Sequence, residues 1–206
     1  IHNLRVTVGE HIRSFPIETR SKEYQPVYSI FHPEFNKTTY NNDIGLLKLS
    51  HKINTYMWFS RPACLPLLTQ TMWESWALPQ DGPHLGEREP TDTLKEALVP
   101  IFPNAVCQAL RYRPYEITDN MFCAGYINGG TDSCHGDSGG GLMWEGSDGK
   151  MDVVGVVSWG QGCGRHGYPG VYTRVTRYLD WIHHHTRDSC YCGRRRGKLP
   201  GNLLGG

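Results

Sequence analysis

Between Thr131 and Gly141 the chain reads TDSCHGDSGGG. The chemistry this stretch could support is acyl transfer. A serine hydroxyl is a weak nucleophile near neutral pH. It needs a base to take its proton and donors to hold the oxyanion that forms when it attacks a carbonyl. The glycines around Ser138 meet the second need, because they can take backbone conformations closed to other residues. They would let the amides of Gly136 and Ser138 converge on one point, each donor lowering the barrier by about 3–4 kcal/mol. A glycine-rich turn with no chemistry is the plainer alternative for these residues alone.

A nucleophile of this kind needs a rigid support, and the rest of the chain reads as short strands. LRVTV alternates at Leu4, Val6 and Val8; VYSIF, DIGLLKL, EALVPIF, MDVVGVVSW and GVYTRV follow. They are separated by Gly, Pro, Asn and Asp, as in a barrel or sandwich. The 24 Gly and 13 Pro fit many turns better than long helices. Two stretches have helical spacing: a short one, NAVCQALRY, and RYLDWIHHH, where Val175, Tyr178, Leu179 and Ile182 share a face. Residues 72–94 read as loop, a boundary between two sub-barrels falls near SRPACLPL, and residues 188–206 read as a basic, Gly-rich, disordered tail.

With 206 residues, the chain suits one large or two small domains. A net charge of +1 argues against a nucleic-acid partner. No apolar run approaches a membrane span. The first residue is Ile1, not Met, so the chain reads as a processed or truncated piece. Its seven cysteines are not grouped as CxxC pairs, which favours disulfides and an oxidising compartment over zinc. Asn36-Lys37-Thr38 is an N-glycosylation sequon, consistent with secretion.

DSCHGDSGG, VVSWGQGCG, PGVYTRV, NNDIGLLKL, ITDNMFCAG and RPACLP stand in an order that resembles the chymotrypsin/trypsin family of serine proteases, over roughly residues 4–186. The resemblance implies an all-β, two-barrel trypsin-like fold, its first barrel incomplete, closed by a C-terminal helix. Residues 1–187 would be the catalytic domain without its N-terminal segment. Ser138 would be the nucleophile, Asp43 the carboxylate that orients the catalytic imidazole, and Gly136 and Ser138 the oxyanion hole. Asp137 would accept the ammonium freed by zymogen cleavage. Ser158, Trp159 and Gly160 would line the substrate channel, and Asp132 would lie at the base of the primary pocket. Gly160 and Gly170 would leave its walls open, and Ser133 would add a hydroxyl. Such a pocket implies cleavage after Arg or Lys, with protein or peptide substrates, proteinaceous inhibitors and an extracellular location.

The resemblance also pairs Cys107 with Cys123 and Cys134 with Cys163, and points Cys64 toward an upstream chain. Cys190 and Cys192 have no counterpart. One further family bridge lacks both partners, near Thr71 or Met72 and at Trp144. Neither a metal nor another cofactor is expected: Arg20 and Lys22 oppose a calcium site beside Glu10 and Glu18, Pro169 argues against sodium activation, and His183, His184 and His185 read as a solvated helix end. His135 reads as a tolerated surface residue at the pocket mouth.

The family's histidine motif, of the TAAHC type, is absent, and none of the ten histidines replaces it. The fragment alone is therefore expected to be nearly inactive and poorly folded. The chief alternative is a protease homologue without catalysis that serves as a binding or signalling module. A splicing or gene-model artefact, with CYCGRRRGKLPGNLLGG as a symptom, is a third reading.

Overall fold

The structure, a computed structural model, describes residues 4–10, 12, 21–53, 93–146 and 151–189. The readings made above for the 54–92 stretch (with its Cys64 and Thr71/Met72 positions), for Glu18 and Arg20, for Ile1 and for the tail from Cys190 lie outside these residues.

Nine strands and two short helices are described. In the first half β1 (Val6–Val8) pairs with β2 (Lys22–Tyr24), and β3 (Pro26–Phe31) pairs with β4 (Gly45–Leu49), all antiparallel. In the second half β5 (Ile101–Phe102), β6 (Met121–Ala124), β7 (Gly141–Glu145), β8 (Met151–Trp159) and β9 (Gly170–Arg174) form one antiparallel sheet in the order β5-β6-β9-β8-β7. Helix α1 (Asn104–Gln108) follows β5, and a single 3-10 turn (Val175–Tyr178) leads into α2 (Leu179–His185). The protein is all-β with a C-terminal helix, as the motifs implied.

Three strands escape the sequence pattern for identifiable reasons. In β2 two of the three residues are charged, which hides its pairing with β1. In β6 all four residues are buried, so there is no polar face to alternate with. Its Met121 and Cys123 enter a cluster with Cys107, Tyr112, Ile117 and Val171, while Phe122 and Ala124 pack with Tyr172 on the other face. β7 begins at the glycine run of the serine loop, where a turn is the stronger local signal.

Other elements are shorter than their patterns. EALVPIF yields only Ile101–Phe102, because Pro100 and Pro103 cannot donate to a ladder. The predicted terminal helix is split, its first turn being the tighter 3-10 form. Val175, Tyr178, Leu179 and Ile182 share one buried cluster with Ile44, as their spacing predicts. That cluster joins the C-terminal helix to the start of β4. Among the described residues no helix is long and apolar enough to cross a membrane.

Candidate active site

β8 carries an irregularity that organises the site. Val157 pairs with Tyr172 and Trp159 with Val171, so Ser158 is an extra residue on its strand. A bulge of this kind re-aims a side chain. The Ser158 hydroxyl donates to Asp43 Oδ2 at 2.7 Å. A second hydroxyl, on Thr173 of the neighbouring β9, donates to the Asp43 carbonyl at 2.6 Å. Asp43 is thus held by the second-half sheet through its side chain and its backbone.

The loop from His32 to Asp43 reaches that sheet through polar contacts. Asn42 takes a left-handed backbone (φ 58°), which asparagine tolerates better than most residues. The buried Asn42 side chain donates to the Glu34 carbonyl at 2.9 Å and accepts from Tyr178 OH at 2.8 Å and Asn120 Nδ2 at 3.1 Å. Asn41 Oδ1 accepts from Thr118 Oγ1 at 2.9 Å and Asn120 Nδ2 at 3.1 Å. Burial, as the main cause, raises the Tyr178 phenol to about 12, so it stays a donor. The two asparagines before Asp43 therefore clamp their loop onto the sheet.

The serine loop attaches to the same strand. Gly139 N donates to Val157 O at 2.9 Å, and Val157 N donates to Gly140 O at 2.9 Å. Val157 is the residue before Ser158, so Ser138 and Asp43 are both anchored at one end of β8. Gly136 (φ 99°) and Gly139 (φ 84°) hold conformations that disfavour a side chain. Among the described residues the Gly136 and Ser138 amides have no hydrogen-bond partner. Ser138 is exposed. Among the described residues no hydrogen bond joins a histidine to Asp43 or Ser138. His32 packs edge-on to Tyr178 and against Trp181, and His135 lies elsewhere on the serine loop. Asp137 is exposed, and its Oδ2 accepts from Cys134 N at 2.7 Å, so the carboxylate turns back onto its own loop.

Beyond the serine loop, segments 129–134 and 160–170 lie side by side. Gly130 N donates to Gly164 O at 2.9 Å, and Cys134 is bonded to Cys163. The Cys107–Cys123 bridge is also formed. A Cβ on Gly129 would stand 2.3 Å from Gly164 O, and one on Gly164 2.3 Å from Gly130 O. Only glycines permit so close an approach, and the motifs did not single them out. Cys134, His135 and Cys163 cluster three potential metal donors within 4.8 Å, but the two sulfurs are consumed by the disulfide.

Asp132 belongs to the first segment and turns its carboxylate toward the second. Its Oδ2 accepts from Gly164 N at 2.9 Å, while Oδ1 is buried without a well-formed hydrogen bond among the described residues. Burial pushes its carboxyl up to about 6, outweighing the downward pull of the Gly164, Ser133 and Gly170 amides. Gly170 faces that oxygen: a Cβ there would come within 2.7 Å of Oδ1, 3.2 Å of the Tyr172 ring and 3.3 Å of Ser133 Oγ. Ser133 Oγ accepts from Tyr172 OH at 3.1 Å. Gly160 is exposed, at the end of β8.

Trp159 stands beside this recess. Tyr40 stacks along it at 6.3 Å with an interplanar angle of 22°, and Tyr112 meets its edge at 5.4 Å. Tyr112 OH donates to the Pro169 carbonyl, and burial raises its phenol further from ionisation. Tyr40 carries a left-handed φ of 54° and is exposed at 44%. Non-glycine residues held in that region cluster at functional sites. Nothing in the one-dimensional spacing brings Tyr40 to Trp159.

Comparison with known proteins places the chain in a family. The family model described as Trypsin matches residues 1–182. The chain is 39% identical over 199 residues to tissue-type plasminogen activator of Homo sapiens, covering 90% of this chain and 35% of that protein. The Pongo abelii form matches to the same extent. Trypsin V-A of Rattus norvegicus is 36% identical over 187 residues, 87% of this chain and 70% of that protein. The chain thus spans about a third of the length of the plasminogen activators it matches.

Proposed function

The chain belongs to the trypsin family of serine proteases, and we propose that it is the catalytic part of a secreted endopeptidase that cleaves after Arg or Lys. What carries the specificity is the buried Oδ1 of Asp132, which has no well-formed hydrogen bond among the described residues. A carboxylate left in that state favours a ligand that brings a cation to it, because the alternative is an uncompensated buried charge. Gly170 leaves space beside it, and Ser133 adds an acceptor for an ammonium or guanidinium donor.

In the proposed reaction Ser138 Oγ attacks the carbonyl carbon of the basic residue as an imidazole takes the hydroxyl proton. The oxyanion is held by the Gly136 and Ser138 amides. The amine leaves with a proton from an imidazole, giving an acyl-enzyme on Ser138 that water then hydrolyses. Asp43 orients that imidazole, which comes from polypeptide additional to these 206 residues. Ser158, Trp159 and Gly160 accept the substrate as an added strand. Asp137 binds the ammonium terminus created by activation cleavage, which requires it to leave Cys134 N. Cys64 links the domain to an upstream chain, and protein inhibitors that mimic the substrate strand bind the same groove. Residues 1–187 form the catalytic unit and 188–206 its tail.

The full-length protein, secreted by a eukaryotic host and activated, is tested against a peptide library varied at the residue before the cleaved bond, with fluorophosphonate labelling of the serine. Cleavage confined to Arg and Lys, with label lost in Ser138→Ala, is expected. Labelling without a basic preference overturns the specificity. Absence of both turnover and label favours the alternative, a homologue that only binds. The isolated 206-residue chain, without the imidazole, is expected to fall to residual turnover, several powers of ten lower.

A further inference from the structure

The loop joining β3 to β4 carries a feature the reaction does not use. Asn36-Lys37-Thr38 is the only Asn-x-Ser/Thr triplet in the 206 residues. In the structure Asn36 Oδ1 accepts from Thr38 N at 2.9 Å and Thr39 N at 3.1 Å, and Asn36 N donates to Asn41 O at 3.0 Å. The side-chain oxygen is thus tied down by the turn, and Nδ2 is the atom turned away from it. Residues Asn36 to Tyr40 are all exposed. Two of these bonds span two and three residues only, so the turn can form in a nascent chain before any tertiary contact exists.

The same turn reaches Trp159, a residue of the proposed substrate channel. Its backbone closes from Asn36 to Asn41, and between them Tyr40 stacks on Trp159. Asp43 follows two residues after that closure. Asn36 stands four residues before Tyr40 in this exposed turn.

We infer that Asn36 is an N-glycosylation site whose glycan, at the rim of the peptide groove, admits short peptides and slows folded proteins. The filtering part rests on the protease reading given above; the modification itself does not. In the transfer, Asn36 Nδ2 forms a bond to the anomeric carbon of a lipid-pyrophosphate-linked oligosaccharide. The bond from that carbon to the pyrophosphate oxygen breaks, its electron pair leaves with the pyrophosphate, and the amide proton passes to a base of the transferring enzyme. The product is a bulky, solvated group on a turn that already faces water.

The test uses the full-length protein from a eukaryotic secretory host. Peptide mapping of the Asn36 segment, before and after enzymatic release of N-glycans, reads the modification. Wild type and Thr38→Ser are expected to carry glycan, and Thr38→Ala and Asn36→Gln to lack it. Thr38→Ala leaves Asn36 and its backbone bonds in place, and enzymatic removal from folded wild type serves where a variant fails to fold. An unmodified Asn36 in the secreted wild type overturns the site.

The filter is read by two rates on the glycosylated and bare forms. Association of a small folded protease inhibitor is expected to rise about five-fold or more on glycan loss, while kcat/KM for a tripeptide substrate stays within about two-fold. Equal changes in both rates, or none, overturn the filter and leave the protease reading standing. Failure of both forms to bind inhibitor or turn over peptide overturns the protease reading and the filter with it, while the mapped glycan still decides the site.

Discussion

Ser158 Oγ donates to Asp43 Oδ2 at 2.7 Å across 115 residues of chain. The bond exists because Ser158 is the extra residue of a bulge in β8, one position after the residue that holds the serine loop. A hydrogen bond to a charged group contributes about 1.5–3 kcal/mol. Ser158→Ala is therefore expected to lower kcat about ten-fold or more in the full-length enzyme, with KM little changed. Steady-state kinetics check this. An unchanged kcat would show that Asp43 is positioned without Ser158, through Thr173 and the Asn42 network alone.

The Asp132 carboxyl, raised by burial to about 6, makes ligand binding depend on pH. A cationic ligand binds the ionised form. Its affinity is expected to rise between about pH 5 and about pH 7 and then level off. For folding the sign is opposite. The raised value means ionised Asp132 detracts from stability, fully above about 6, and this cost fades as pH falls toward the ordinary value of 3.8. Titration calorimetry with an amidinium ligand across this range reads the first effect. Asp132→Asn is expected to flatten it; a slope that survives the substitution assigns the titration elsewhere.

Gly170→Ala tests the space beside Asp132. The added Cβ would stand 2.7 Å from Oδ1, with Ser133 Oγ and the Tyr172 ring close on its other sides. Gly170 does not occupy the left-handed region, so alanine meets no backbone obstacle. The expected result is a loss of amidinium affinity of about 100-fold, roughly 3 kcal/mol. Equilibrium binding measures it. Undiminished affinity would place the cation away from Gly170.

The Cys134–Cys163 bridge joins the segment that carries Asp132 to the one its carboxylate faces and closes a separation of 29 residues. Loop-closure entropy assigns such a bridge about 3–4 kcal/mol. Replacing both cysteines with alanine is expected to lower the thermal midpoint and to raise KM for Arg substrates more than it lowers kcat. Differential scanning calorimetry and kinetics follow the two effects. The paired substitution avoids an orphan thiol, so a fall in kcat alone would contradict a role in shaping the recess.

Much of this protein was legible in short stretches. HGDSGG specifies a loop because its glycines supply conformations other residues resist, and Gly136 and Gly139 do hold positive φ. Tyr178, Leu179 and Ile182 share a buried cluster because helical spacing puts them on one side. The cysteine pairs that the family resemblance implied are both formed. These features depend on residue type and nearest neighbours, which sequence states directly.

What only the tertiary structure decided depends on register. A bulge is a mismatch between two strands, so neither strand alone announces that Ser158 turns to Asp43. Tyr40 reaches Trp159 from a loop over a hundred residues earlier. Gly129 and Gly164 are ordinary turn glycines until their backbones meet within a Cβ radius. Asp132 is an ordinary acid until burial leaves one of its oxygens without a well-formed partner. In each case the energy comes from long-range approach and loss of water, quantities that appear only once the chain has closed on itself.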